Sequence, residues 1–216
     1  MSSALQVLRD VKVGDIIFGI AAGGQEKLLL VYDADEDDFW ARHITSQTKA
    51  KFGRSGESLW VEGGGSCTIV STTKLPPDLY ETAVGLARKF AARPEYPDSI
   101  LSKDEIQLVL HHDKFFKAHL LPGTESIVRR AEKINGVRAM LQLEWDPIDA
   151  RSNAPDWNEY LEDLPALVDI LETQASVEQV ANFLADMAAR KMRTQQVADR
   201  GKAAAASLVQ LRESWD

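Results

Sequence analysis

The chain has 216 residues, a formal net charge of −8 and a single cysteine. This length allows one sizeable domain or two small ones, and the 44% hydrophobic and 27% charged residues are ordinary for a soluble globular protein. The negative charge argues against a protein whose whole surface binds nucleic acid. A local basic patch could still bind it.

No apolar run approaches the roughly 18 residues that are needed to cross a bilayer, so no membrane partner is predicted. The first residues carry no apolar export signal. Cys67 has no second cysteine to pair with, which is typical of proteins in a reducing compartment. We therefore predict a cytoplasmic protein.

Residues 1–75 read as a small antiparallel SH3-like β-barrel. Apolar and β-branched runs alternate with Gly- and Asp-rich turns, which is typical of short strands in a bent sheet. The predicted strands are 15–21, 26–32, 38–44, 57–62 and 67–73. Trp40 and Trp60 lie on two of them, and we expect both side chains to fill the barrel interior.

The hydrophobic period becomes helical after Lys74. We predict a helical bridge over 76–123 and an all-helical module over 124–216, so that the whole chain is of the α+β class. Several local signals mark the starts of its helices. They are the S-x-x-E and S-x-x-Q capping boxes of Ser102 with Glu105 and of Ser176 with Gln179, and a cap at Asp163 before Pro165.

Two further expectations concern the ends of the helical module. The segment 125–145 has one apolar face, with an interruption or kink expected near Gly136. The last helix, within 195–215, is alanine-rich and either packs on the body of the protein or offers its apolar side to a partner.

No residue cluster predicts catalysis, a metal or a cofactor. The D-x-D-x-D of residues 33–37 lacks the glycine of a calcium loop, because Asp38 stands in its place, and is interpreted as an acidic turn. His111 and His112 are adjacent, so they point to different faces of a helix and lack zinc-helix spacing. Cys67 with His43 offers a nucleophile and a base, but its context is more typical of a buried thiol.

Two surfaces are candidates for binding. The first is a basic patch with one aromatic residue, formed by Lys49, Lys51, Phe52 and Arg54, which could bind phosphates and stack a base. The alternative interpretation is a solvated hairpin whose lysines discourage aggregation of sheet edges.

The second candidate is an acidic and aromatic segment between two predicted helices. Its residues are Glu144, Asp146, Asp149, Asp156, Trp157, Glu159 and Tyr160. The carboxylates are too many and too scattered for one acid–base pair, so a partner-binding surface is a better interpretation than an active site. The alternative is a structural corner, in which Trp145 anchors one helix and Pro147 ends it.

The N-terminal part carries the motifs "VKVGDIIFG" at 11–19 and "HITSQ" at 43–47. This pattern resembles the PemK/MazF-type SH3-like barrels of toxin–antitoxin systems over residues 11–73. The resemblance implies a barrel that acts on RNA, with Thr45 and Ser46 matching the family's turn beside its groove. The family's catalytic arginine is not assigned in this chain, so the resemblance does not extend to ribonuclease activity.

The C-terminal part carries "LQLEWDPI" at 141–148 and "DWNEYLEDLP" at 156–165. This pattern resembles the YugE-like bacterial all-helical family of unknown function over residues 127–193. The matching residues are Glu144, Trp145, Asp146, Pro147, Tyr160 and Pro165. The resemblance implies a helical fold and a role in interaction, because such modules are encoded near polymorphic toxins and are interpreted there as immunity proteins.

Together these features favour a non-enzymatic bacterial protein that binds a protein partner, such as a basic toxin domain, through its acidic and aromatic segment. An acidic surface suits a cationic partner through electrostatic complementarity. The main alternative is a nucleic-acid-binding barrel with a helical regulatory domain. A small-molecule sensor, with its site between barrel and helices, is a third interpretation that no motif specifically supports.

Overall fold

The structure is a computed structural model that describes residues 8–92, 101–145, 162–192 and 198–215. These residues form six strands and six helices, which makes the protein an α+β protein. The chain divides into two compact units, Met1–Arg129 and Arg130–Asp216. The two helices of the predicted bridge belong to the first unit.

The first unit is built on a six-stranded antiparallel sheet that curls into a half-barrel. Its strand order is β5-β4-β3-β2-β1-β6. The strands are β1 (Ile16–Ala21), β2 (Glu26–Ala34), β3 (Asp38–His43), β4 (Lys49–Gly53), β5 (Ser58–Val61) and β6 (Cys67–Ser71). An isolated antiparallel bridge between Glu57 and Thr68 brings the two outer strands towards each other.

The strand β4 is absent from the predicted set. Its sequence, Lys-Ala-Lys-Phe-Gly, alternates polar and apolar residues, with Ala50 and Phe52 buried and the lysines on the other face. Two lysines in five residues favour a basic turn over a strand when the segment is considered alone. The strand forms because it pairs along its whole length with β3, where Phe52 lies opposite Phe39.

The predicted orientation of the two strand tryptophans is wrong. The interior of the half-barrel is filled by apolar side chains that include Phe39 and Phe52, whose rings stack 5.4 Å apart and are fully buried. Because side chains alternate between the two faces of a strand, Trp40 next to Phe39 must face outward. Lys51 on β4 pairs with Trp40 on one side and with Trp60 on the other, so Trp60 faces outward as well. It is 48% exposed.

Two helices cover part of the outer face of this sheet. They are α1 (Pro77–Ala92) and α2 (Lys103–Lys117). The rings of Phe18 on β1 and Phe116 on α2 stack 5.3 Å apart, and the Tyr80 hydroxyl of α1 donates to Gly14 O at 3.0 Å. The predicted capping box is confirmed: Ser102 Oγ accepts from Glu105 N, and the Glu105 carboxylate accepts from Ser102 N.

The second unit contains most of α3 (Glu125–Glu144) and all of α4 (Leu164–Glu172), α5 (Val177–Met192) and α6 (Ala198–Glu213). Their apolar faces share one core, at whose centre Trp145, Leu167 and Leu208 are fully buried. The capping box of Ser176 and Gln179 is confirmed by both of its hydrogen bonds. Helix α6 packs into this core through Ala204 and Ala205 as well as Leu208.

Two details of the helical predictions need correction. Asp163 precedes α4, but its backbone is helical and its side chain makes no capping hydrogen bond; its carboxylate instead pairs with Arg190 at 3.1 Å. The expected interruption at Gly136 is wrong, because α3 runs unbroken for 20 residues; the alternative of a kink there stays a prediction. In the described ranges, no helix is both long enough and apolar enough to cross a membrane.

Candidate functional site: the outer face of the sheet

The residues of the predicted acidic and aromatic segment lie mostly outside the described residues. Only Glu144 is described; it is exposed at the end of α3, and its carboxylate accepts a hydrogen bond from the Ser207 hydroxyl. The others lie within 146–161, outside the described residues: Asp146, Asp149, Asp156, Trp157, Glu159 and Tyr160. Their role as a partner surface therefore stays a prediction.

The residues of the predicted basic patch do not share one surface. Lys49 is exposed and Lys51 lies beside it on the outer face of the sheet, where its ammonium pairs with Asp38 at 2.6 Å. Phe52 is fully buried in the half-barrel, so its ring has no face left to stack a base. The patch as predicted from sequence is thus split between a surface and a core.

Arg54, the fourth residue of that patch, holds the backbone of the half-barrel together. Its guanidinium donates to Leu8 O at 2.7 Å, to Val11 O at 2.9 Å and to Asp35 O. The same group lies 5.3 Å above the centre of the Phe39 ring. Because this guanidinium already donates hydrogen bonds to three backbone carbonyl groups, it has few donors left to bind a phosphate.

We expect the substitution Arg54→Met to destabilise the protein by about 2 kcal/mol, because charge-assisted hydrogen bonds to buried carbonyls are lost. Urea denaturation measures this loss, with the exposed Arg129→Met as the matched control. If the variant kept its stability but lost nucleic-acid binding, Arg54 would instead belong to a nucleic-acid-binding patch, as predicted from the sequence.

The outer face of the sheet carries a row that we call the aromatic stripe. It consists of the exposed Tyr32 and Trp60, the half-buried Trp40 between them, and Lys51. Trp40 on β3 pairs with Lys51 on β4, which pairs with Trp60 on β5. The ring centres of Tyr32 and Trp40 are 6.5 Å apart, and those of Trp40 and Trp60 are 5.6 Å apart. Leu59, 61% exposed, lies next to Trp60 in the chain.

The stripe is open because the helices stop short of it. The cluster of Phe18 and Phe116 covers the outer face at β1, whereas Tyr32 and Trp60 keep 38% and 48% of their surface exposed. Exposed aromatic residues in a continuous row leave an apolar surface in water, which is costly unless another molecule covers it. Tryptophan and tyrosine are also the residues that most often dominate binding energy.

The charges around the stripe are balanced. Arg42 lies 5.1 Å above the Tyr32 ring and Lys51 lies 5.8 Å from the Trp40 ring, both at cation–π distance. Lys51 hydrogen-bonds Asp38, and this contact is the main reason why the pKa of Lys51 is raised. Burial raises the pKa of Tyr32, and the nearby Arg42 partly offsets that rise.

The residues His43 and Ser46 form a contact that resembles part of a catalytic dyad. Ser46 Oγ lies 2.6 Å from His43 Nδ1 and 2.8 Å from Thr48 Oγ1. Burial, helped by Lys27 and His112, lowers the pKa of His43 to about 3. An imidazole with so low a pKa is a weak general base at neutral pH, so the contact serves the turn of residues 43–48.

Cys67 is a buried core residue, as predicted. It is 5% exposed, and burial raises the pKa of its thiol to about 12, so the nucleophilic thiolate is scarce at neutral pH. Within the described ranges, no three His, Cys, Asp or Glu side chains are grouped to hold a metal.

The sequence of β3 carries a signal for which of its faces is the outer one. Arg42 is two residues from Trp40 and therefore lies on the same face of β3, while Phe39 and Ala41 form the other face. An arginine is rarely placed inside a small barrel, so the face that holds Arg42 must be the outer one. That argument also assigns Trp40 to the surface.

Comparison with known proteins adds no assignment: no family model, no curated protein and no solved structure matches this chain.

Proposed function

We propose that the protein is a non-enzymatic interaction module that binds a protein partner through the aromatic stripe. The observation that carries this proposal is the row of Tyr32, Trp40 and Trp60 on the open face of the sheet. An apolar, aromatic centre with a polar rim is the usual anatomy of a protein–protein interface. The rim here is supplied by Arg42, Lys51 and Asp38.

The balance of charge favours a protein over a nucleic acid as the partner. Lys51 is neutralised by Asp38, and the carboxylates of Asp33 and Glu62 are close enough to Tyr32 to influence it. Because these charges cancel locally, a polyphosphate backbone would gain little attraction at the stripe, and the chain as a whole has a net charge of −8. A protein with a cationic rim around an apolar patch would meet attraction.

The resemblances described above suggest a biological setting for this proposal. An immunity or regulatory protein of a toxin-related system binds its target without catalysis, and the acidic composition suits a basic toxin domain. The SH3-like assignment of the half-barrel belongs to the same proposal, supported by its six short antiparallel strands and the Glu57–Thr68 bridge. We place this activity in the cytoplasm, which is consistent with a sequence that holds one cysteine.

The test compares tagged full-length protein with Trp60→Ala and with Leu110→Ala. Leu110 is an exposed control, because it is 60% exposed on α2 and lies outside the stripe. Proteins retained from a nuclease-treated lysate of the source bacterium are quantified, and the protein that wild type enriches is then purified. We expect Trp60→Ala to weaken its binding about thirtyfold or more, as for an exposed tryptophan that dominates an interface, and Leu110→Ala to leave it unchanged.

Further variants separate the stripe from the acidic and aromatic segment. If Trp157→Ala and Tyr160→Ala abolish binding while Trp60→Ala does not, the partner binds the segment and the stripe is not the site. Equal binding by all variants would contradict both surfaces.

Nucleic-acid binding is a second candidate, favoured by the contact of Lys51 with Trp40 and the adjacent Lys49. Fluorescence anisotropy with labelled single-stranded RNA and DNA tests it. Binding that falls steeply as salt increases, and that Lys49→Ala with Lys51→Ala weakens, would support a phosphate contact over a protein partner.

A further inference from the structure

A cavity of about 450 Å³ lies between α1 and the outer face of β2 and β3. Its walls are mainly apolar: α1 contributes Val84, Ala87 and Ala91, and the sheet contributes Leu30 and Ile44. This volume falls within the range of roughly 300–1,000 Å³ that is typical of small-molecule sites. The cavity lies wholly within the first unit.

The charged side chains that line the cavity are both cations. Arg42 enters from β3 and Arg88 from α1, and no carboxylate is among the lining residues that the structure describes. The Arg42 Nε is buried without a hydrogen-bond acceptor. Neither guanidinium forms an ion pair with a carboxylate of the described residues: Arg42 lies above the ring of Tyr32, and Arg88 is exposed at the surface of α1. Because Nε is closed off from solvent, a ligand in the cavity has to be bound by the terminal nitrogens of the Arg42 guanidinium, which make no hydrogen bond to the described residues.

Two other polar groups of the cavity are already engaged. The Tyr80 hydroxyl donates to Gly14 O at 3.0 Å, and the Gln47 side-chain amide donates to Ile44 O at 2.6 Å. Their donors are therefore used within the protein. The donors left for a ligand are the guanidinium groups of Arg42 and Arg88 and the hydroxyl of Tyr32, which also lines the cavity. Two cations among them favour an oxyanion over a sugar or a neutral amide.

We propose that this cavity binds an amphipathic organic carboxylate. Its carboxylate accepts hydrogen bonds from Arg42 and is attracted by Arg88, and its apolar body lies against Val84, Ala87 and Leu30. A planar guanidinium suits a carboxylate because two parallel hydrogen bonds fit both groups. This proposal does not rest on the protein-binding function, although the two sites adjoin: Tyr32 of the stripe and Arg42 of its rim also line the cavity.

The test uses octanoate below its micelle-forming concentration, with octan-1-ol and octylamine as probes of the same chain length but different charge. Isothermal titration calorimetry on the full chain measures binding. We expect octanoate to bind and the other two to bind at least tenfold more weakly, because only the carboxylate satisfies Arg42. Octan-1-ol binding as tightly as octanoate, or no octanoate binding, would overturn the proposal.

The variants Arg42→Met and Val84→Phe test the two parts of the site. We expect Arg42→Met to weaken octanoate binding about tenfold or more and Val84→Phe, which fills the cavity, to abolish it. Arg42→Lys should retain part of the affinity, and Arg129→Met on an exposed arginine should change it by less than threefold. Unchanged binding in Arg42→Met would contradict the proposal.

A measurement on the wild-type protein covers the case in which a variant fails to fold. The Arg42 Nε–H resonance in a nitrogen-15 NMR spectrum should shift when octanoate is added and stay in place when octylamine is added. An Arg42 resonance that octanoate leaves in place would also overturn the proposal. Trp60→Ala should bind octanoate like wild type, so that failure of the protein-binding proposal and failure of this one are distinguishable.

Discussion

Replacing Trp145 with alanine should lower the free energy of unfolding of the second unit by about 3–5 kcal/mol. The side chain is fully buried, and it is the largest in a core that also contains Leu141, Leu167 and Leu171. Its backbone continues α3 by one more hydrogen bond, from Trp145 N to Leu141 O at 2.8 Å. Alanine would leave a large cavity that rigid neighbouring helices cannot fill.

Hydrogen exchange followed by mass spectrometry measures this loss for the second unit by itself, which matters because a chain with two compact units need not unfold in one step. Peptides from α4 and α5 should lose protection in Trp145→Ala. Leu143→Ala is the control: it removes a large apolar side chain two residues earlier in the chain, but Leu143 is 69% exposed. We expect the control to change stability by less than about 0.5 kcal/mol. Equal losses in the two variants would mean that Trp145 is not the anchor of this core.

The helices were predictable because their signals are local. Ser102 and Glu105 are three residues apart, and their capping box depends on nothing beyond the first turn of α2. Trp145 was likewise predicted as an anchor from its place at the end of an apolar helical face, and it is buried. The exception, Asp163, failed as a side-chain cap because its backbone is helical rather than extended, and its carboxylate pairs with Arg190, which is distant in sequence.

The strands were harder because a strand has two faces and the sequence does not say directly which one is inside. In β3, Phe39 and Trp40 are both apolar, so hydrophobicity does not choose between them. Within the strand only Arg42 marks the outer face, and the pairing with β4 gives the same result. Phe52 lies opposite Phe39, and together their rings fill the interior. That pairing turns Trp40 outward, and it also removes Phe52 from the predicted nucleic-acid patch.

The candidate site follows from the same choice of face. Once Phe39 and Ala41 point inward, Trp40 and Arg42 must point outward, towards Lys51 and Tyr32. The residues of the proposed interface are therefore those that alternate with the core residues along each strand. No sequence motif reveals that these side chains are neighbours, because they lie on four different strands.

Acid should destabilise the protein in a way that depends on His43. Burial, with Lys27 and His112 nearby, lowers the pKa of His43 from 6.5 to about 3. Ser46 N–H donates to Nδ1 at 3.3 Å, so Nδ1 carries the lone pair and the proton of the neutral ring lies on Nε2. The folded protein thus keeps this imidazole neutral, whereas the unfolded chain lets it take up a proton.

The sign of the effect follows from the protons bound in each state. Below pH 6.5 the unfolded chain binds a proton at His43 that the folded protein excludes, so stability falls as pH falls from 6.5 towards 3. The slope is at most about 1.4 kcal/mol per pH unit for one group. By pH 4 the contribution amounts to at most about 3 kcal/mol, and above pH 6.5 it is constant.

The variant His43→Asn should remove this part of the pH dependence, because asparagine does not titrate and its side-chain oxygen can replace Nδ1 as an acceptor for Ser46. Urea denaturation at pH 7, 6, 5 and 4 measures the difference between variant and wild type, in which the effects of the carboxylates cancel. That difference should shift in favour of the variant as pH falls, while the exposed His111→Asn should follow the wild-type curve. Parallel curves for His43→Asn and wild type would show that the folded protein accepts a charged imidazole at this position.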